Sequence, residues 1–289
     1  MSLTRRQFAA TLGASSIIPT VTLAQSMSEI EMLLALVDGP QDAYQAAHDS
    51  IRAQKRVDLA AGLIMAMRFS RAREREFAET LQEITGEPRP LTWFDWMLWQ
   101  ERNPQIVPHQ ASLIEFKRTV YQRIDPNFDV FLRPKDLRRN RMKIRLEEIT
   151  WGGVPKDGIP SLDNPTLIAA ERATYMRDGD PVFGVSINGD TRAYPLRIMG
   201  WHEMFNEVIG GVPVALAYCT LCGAGILFET KVRGRTKPLI FGSSGFLYRS
   251  NKLMFDRATH SLWNQFTGRC LRVMPLLTSL PDTGCPVNW

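Results

Sequence analysis

Residues 182–194 read Val182-Phe183-Gly184-Val185-Ser186-Ile187-Asn188-Gly189-Asp190-Thr191-Arg192-Ala193-Tyr194. Two β-prone stretches flank Asn188-Gly189, a pair that accepts the positive φ angles of a tight hairpin turn. The segment assigns the second half of the chain to strand and turn. Val212 to Tyr218, Ile226 to Val232, Leu239-Ile240-Phe241 and Leu253-Met254-Phe255 extend the pattern as apolar, β-prone runs. On the N-terminal side, Ile144, Leu146 and Ile149 lead into Trp151-Gly152-Gly153, and the stretch through Pro165 has the Gly, Pro and Asp content of loops.

Further back the apolar period lengthens to that of a helix. Ser28 with Glu31 three places on forms a capping box, and Ile30, Leu33, Leu34 and Val37 follow at helical spacing until Asp38-Gly39-Pro40. Gln41–Gln54, Arg56–Phe69 and Arg71–Ile84 repeat the amphipathic pattern until Gly86, Pro88 and Pro90 interrupt it. Thr92 and Asp95 open a helix with Trp93, Trp96 and Trp99 on one stripe, a spacing that predicts core packing. Leu113, Phe116, Val120, Tyr121 and Ile124 mark one more helix. The expected class is α+β: an antiparallel helical domain over 25–130, then a mainly antiparallel β-rich domain over 146–289. The linking segment 131–145 is basic and reads as a solvated connector.

The first 24 residues carry Arg5-Arg6 and Phe8, a weakly apolar stretch from Ala9 to Val21, and Thr22-Leu23-Ala24. A charged start, an apolar middle and a small-residue end make an export signal, and Arg5 with Arg6 resembles the twin-arginine type. The expectation is passage through the twin-arginine export machinery to the periplasm or beyond, where disulfides persist. No later window approaches the apolar length of a membrane span. The chain of 289 residues carries a formal net charge of only +5. So small an excess argues against a nucleic-acid binder, which needs a concentrated basic face.

The residues with most chemical character are Tyr218-Cys219-Thr220-Leu221-Cys222-Gly223. Two thiols two residues apart either close a small disulfide or hold one metal. Here they lie between two β-prone runs, with Gly223 where a knuckle turn needs no Cβ, which favours a metal. His202 of Trp201-His202-Glu203 is the candidate third ligand, and Cys219, Cys222 and His202 together would suit copper or zinc. His260 is a weaker candidate, and Cys270 with Cys285 matches no common zinc spacing. Two other functions stay open. One is thiol–disulfide exchange at the same pair. The other is a non-catalytic module in which the pair is structural and Ser244, Tyr248, Asn251 and Lys252 line a cleft for a small polar ligand. His202-Glu203 lacks the second His of a zinc-protease helix, and no phosphate-binding glycine loop or serine nucleophile elbow is present. Glu203 and Glu207 read as solvated helix positions.

Trp151-Gly152-Gly153-Val154, Asp157-Gly158-Ile159-Pro160, Arg192-Ala193-Tyr194-Pro195, Trp201-His202-Glu203, the Cys219 to Gly223 motif, Ser244-Gly245, Leu247-Tyr248-Arg249-Ser250-Asn251-Lys252 and Ser261-Leu262-Trp263 follow one another as ordered landmarks. In number and order they resemble the bacterial domain-of-unknown-function 3179 family over about 143–268. The resemblance implies no established activity. Cys219, Cys222 and His202 fall inside the motifs, whereas His260, Cys270 and Cys285 do not. Family members usually continue well beyond the position of Trp263, while Leu276 to Trp289 resembles nothing expected there, so the resemblance implies a C-terminal truncation or a change of reading frame.

Overall fold

The computed structural model describes residues 27–88, 92–133, 142–232 and 235–268. Arg5 and Arg6 of the expected export signal, most of the basic segment 131–145, Cys270 and Cys285 lie outside these residues.

Among the described residues six α-helices come first: α1 (Glu29–Asp38), α2 (Gln41–Ala53), α3 (Ala60–Phe69), α4 (Glu74–Thr85), α5 (Trp93–Arg102) and α6 (Gln110–Gln122). Both expected caps form reciprocally, Ser28 with Glu31 and Thr92 with Asp95, which satisfies backbone N–H groups that a helix start leaves open. Trp96 and Trp99 are buried and pack edge to face, 5.4 Å between ring centres, so the tryptophan stripe is core.

Among the described residues ten strands and one short α-helix follow: β1 (Ile149–Trp151), β2 (Leu162–Asp163), β3 (Val182–Ile187), β4 (Asp190–Pro195), α7 (Leu196–His202), β5 (Met204–Ile209), β6 (Val212–Cys219), β7 (Ala224–Glu229), β8 (Phe241–Tyr248), β9 (Asn251–Asp256) and β10 (Leu262–Asn264). They make an antiparallel sheet ordered β1-β8-β9-β10 and a second ordered β2-β5-β6-β7, in which only β2 pairs in parallel. The β3-β4 hairpin turns at Asn188 and Gly189, both at positive φ, which Asn tolerates and the missing Cβ of Gly permits.

Period-two alternation sorts the core into layers. Leu253 and Phe255 of β9 pack with the helices, together with Phe246 and Tyr248 of β8. Met254, from the other face of β9, joins Met204, Ala215, Ala217, Phe241 and Trp263 between the two larger sheets. Phe205, Val214 and Leu216 look outward and are covered by Phe183, Tyr194 and Met199 of the hairpin and α7. Helices and first sheet therefore share one core. Asn206 pins the sheets together: its amide donates to the Phe241 carbonyl at 2.8 Å and its oxygen accepts the Phe241 N–H at 2.8 Å.

Three sequence expectations need correction. The strand anticipated at Leu239–Phe241 starts only at Phe241 and runs to Tyr248, carrying Gly242 to Gly245 inside it with a register shift between Ser243 and Leu247. Arg145, taken as part of a solvated connector, instead pairs with the buried carboxylates of Glu147 and Glu148, which could not otherwise leave water cheaply. Glu203 and Glu207 are not solvated helix positions. Both are buried, Glu203 just past the end of α7 and Glu207 in β5, where it accepts from Arg192 and Tyr194.

Candidate functional site

Cys219 is the last residue of β6 and pairs in register with Ala224, the first residue of β7. Ala215 and Ala217, four and two places earlier, face the layer between the sheets, and alternation carries Cys219 to the same side. It is 2 % exposed. The chain then turns tightly: the Cys222 N–H donates to the Cys219 carbonyl at 3.2 Å, and Gly223 takes the left-handed φ of +61° that closes the knuckle. The result brings the two sulfurs to 3.1 Å, with Cys222 at the surface and its thiol 3.4 Å from the Ser250 carbonyl. Gln265 braces the turn from below by donating to the carbonyls of Ala217 and Ala224 at 2.6 and 2.8 Å.

Glu203 organises the other flank. It stops α7 in the left-handed region, φ +54°, an uncommon conformation for a side chain of its kind. Its carbonyl accepts the N–H of Tyr218 at 2.8 Å, and its carboxylate accepts the Thr220 hydroxyl at 2.7 Å. Lys252, 4 % exposed at the start of β9, donates to the same carboxylate at 3.0 Å and the same carbonyl at 3.2 Å. Residues on either side of Cys219 thus share Glu203 with a buried ammonium group.

Electrostatics follow the geometry. Burial pulls the Lys252 amine down from the ordinary lysine range, opposed by the negative charges of Glu203 and Cys219. Desolvation, then the hydrogen bond and charge of Cys219, push the Cys222 thiol up to about 12. Ionisation of one sulfur therefore disfavours ionisation of the other.

His202 does not join the sulfurs in a metal-holding group. Its Nδ1 lies 2.9 Å from the Pro160 carbonyl, and no cluster of three or more His, Cys, Asp or Glu side chains placed to hold a metal occurs among the described residues. His260 stacks on Phe255. The four residues suggested for a ligand cleft divide between structural tasks and faces. The Ser244 hydroxyl donates to the Leu253 carbonyl at 2.6 Å and accepts the Phe246 N–H at 3.0 Å inside the irregular part of β8. Tyr248 packs with the helical core, and alternation puts Asn251 and Lys252 on opposite faces of β9. Sequence reasoning missed Glu203 and Thr220 as neighbours of the sulfurs. Lys252 in the apolar run Lys252-Leu253-Met254-Phe255 was the available signal, because it shares a strand face with buried Met254.

Residues 156–274 match the model of a family described as "Protein of unknown function (DUF3179)". The match spans the thiol pair, Glu203 and Lys252. No curated protein and no solved structure matches the chain. Among the described residues no helix is long and apolar enough to cross a membrane.

Proposed function

We propose that Cys219 and Cys222 form a reversible dithiol–disulfide centre that exchanges two electrons with external thiols and disulfides. The observation that carries this reading is the 3.1 Å approach of the sulfurs across a braced turn with one sulfur open to solvent. Bond formation needs a contraction to the ~2.05 Å of a disulfide and an external disulfide that takes up the two electrons and two protons. In the oxidised protein an external thiolate attacks the accessible Cys222 sulfur. A bond forms between them, the Cys219–Cys222 bond breaks, and Cys219 leaves as a thiolate. A second external thiolate attacks the external sulfur of the mixed disulfide and releases Cys222. Two electrons pass to the protein, the external thiols become a disulfide, and the two protons they lose end on Cys219 and Cys222.

Equilibration in glutathione buffers, with remaining thiols trapped by alkylation and counted by mass, tests the proposal. The expected result is one two-electron transition confined to Cys219 and Cys222 and abolished by Cys219→Ser or Cys222→Ser. A pair that stays reduced across all buffers, or that takes up copper or zinc and shows no redox transition, contradicts it.

A further inference from the structure

Cys222 is accessible to a reaction partner, but the exchange also depends on Cys219, which departs as a thiolate in one direction and attacks as one in the other. That sulfur is buried, and a thiolate in such a place needs a countercharge. The Tyr218 N–H and the Lys252 ammonium bond the same Glu203 carbonyl, while the Thr220 hydroxyl and the same ammonium bond the Glu203 carboxylate. Cys219 lies between Tyr218 and Thr220 and faces the inter-sheet layer that Lys252 faces from β9. Cys222, one turn on, reaches the Ser250 carbonyl at the mouth of the β8-β9 hairpin, two residues before Lys252. Glu203 and Lys252 thus meet beside the end of the strand that carries Cys219. The charged or titratable groups there are Cys222 in its own turn, Glu203 after α7 and Lys252 on β9, while His202 is turned to Pro160.

We infer that Lys252, held in place by Glu203, is a positioning residue that supplies the countercharge for the Cys219 thiolate. The inference rests on the dithiol reading for its use in exchange. In one direction the ammonium stabilises the leaving sulfur and speeds cleavage of the Cys219–Cys222 bond. In the other it stabilises the Cys219 thiolate as it attacks the Cys222 sulfur in a mixed disulfide, forms the Cys219–Cys222 bond and expels the external thiolate, which takes its proton from water. Glu203 has a second effect. Its carboxylate competes with the thiolate for the same ammonium and so limits how far Cys219 is activated.

The test is a spectroscopic titration of the reduced full chain, following ultraviolet thiolate absorbance with Cys222, Cys270 and Cys285 replaced by Ser so that Cys219 alone is seen. Lys252→Met is expected to raise the Cys219 midpoint by about one pH unit or more, and Lys252→Arg to hold it near the starting value. Glu203→Gln, which frees the ammonium, is expected to lower it. Shifts of opposite sign are not produced by loosened packing alone. Unchanged midpoints in folded Lys252→Met and Glu203→Gln, or shifts in the same direction, overturn the inference. If Lys252→Met does not fold, Glu203→Gln decides by its sign. The titration never requires a disulfide, so it fails or succeeds independently of the glutathione experiment.

Discussion

At the scale of single residues, the molecule repeatedly buries charge only where a partner waits. Lys117 on α6 is the sharpest case. It is 2 % exposed, donates from Nζ to the Ile149 carbonyl at 2.5 Å, and sits 5.8 Å from the Tyr121 ring centre with Glu147 as its charged neighbour. Burial, partly offset by Glu147, lowers its pKa from 10.5 to about 7. Between those values the unfolded chain holds a proton on this lysine that the native state has released, so stability rises with pH across that window. Below it both states are protonated, and the native state bears the cost of a buried charge. Chemical denaturation at pH values from roughly 7.5 to 9.5 should show this rise, at most about 1.4 kcal/mol per pH unit, as the difference between the protein and Lys117→Met. Identical pH slopes in the two would place the amine in contact with water. None of this was readable beforehand, since Lys117 lies in an ordinary amphipathic pattern and only the docking of β1 against α6 closes water out.

At the scale of elements, what sequence conveys is local and what it hides is register. Both capping boxes and the Asn188-Gly189 hairpin form because their signals act within four residues. Strand β8 defied reading because Gly242-Ser243-Ser244-Gly245 looks like an interruption. The interruption is instead a bulge within the strand, stitched by the Ser244 hydroxyl and turned at Gly245, whose φ is +84°. A Cβ there would lie 2.5 Å from the Val154 carbonyl oxygen, a backbone atom that cannot give way cheaply. Gly245→Ala should therefore destabilise by about 2–3 kcal/mol, measured by urea unfolding. A loss under about 0.5 kcal/mol would mean that the bulge relaxes freely. The thiol motif was legible for the same local reason, as two cysteines and a glycine spell out their own turn. Its partners Glu203 and Lys252 stand 16 residues before and 33 residues after Cys219, and only sheet pairing brings them together.

For the whole molecule, the α+β order was legible and the joining of its halves was not. Periodicity distinguishes helix from strand, but it does not tell that Phe246, Tyr248, Leu253 and Phe255 complete the helical core instead of a core of their own. That shared core leaves the second sheet to be covered by the β3-β4 hairpin and α7, and the end of α7 is what carries Glu203 to the thiol turn. The layered arrangement thus produces the site: one sheet brings Lys252, the other brings Cys219, and the covering helix brings the carboxylate between them. Peptide mapping of the full chain by mass spectrometry, after exposure to glutathione disulfide and again after dithiothreitol, tests the account most directly. The peptide bearing Cys219 and Cys222 should lose two hydrogens on oxidation and regain them on reduction. A peptide that keeps both thiols under oxidant, or that links either cysteine elsewhere, would contradict it.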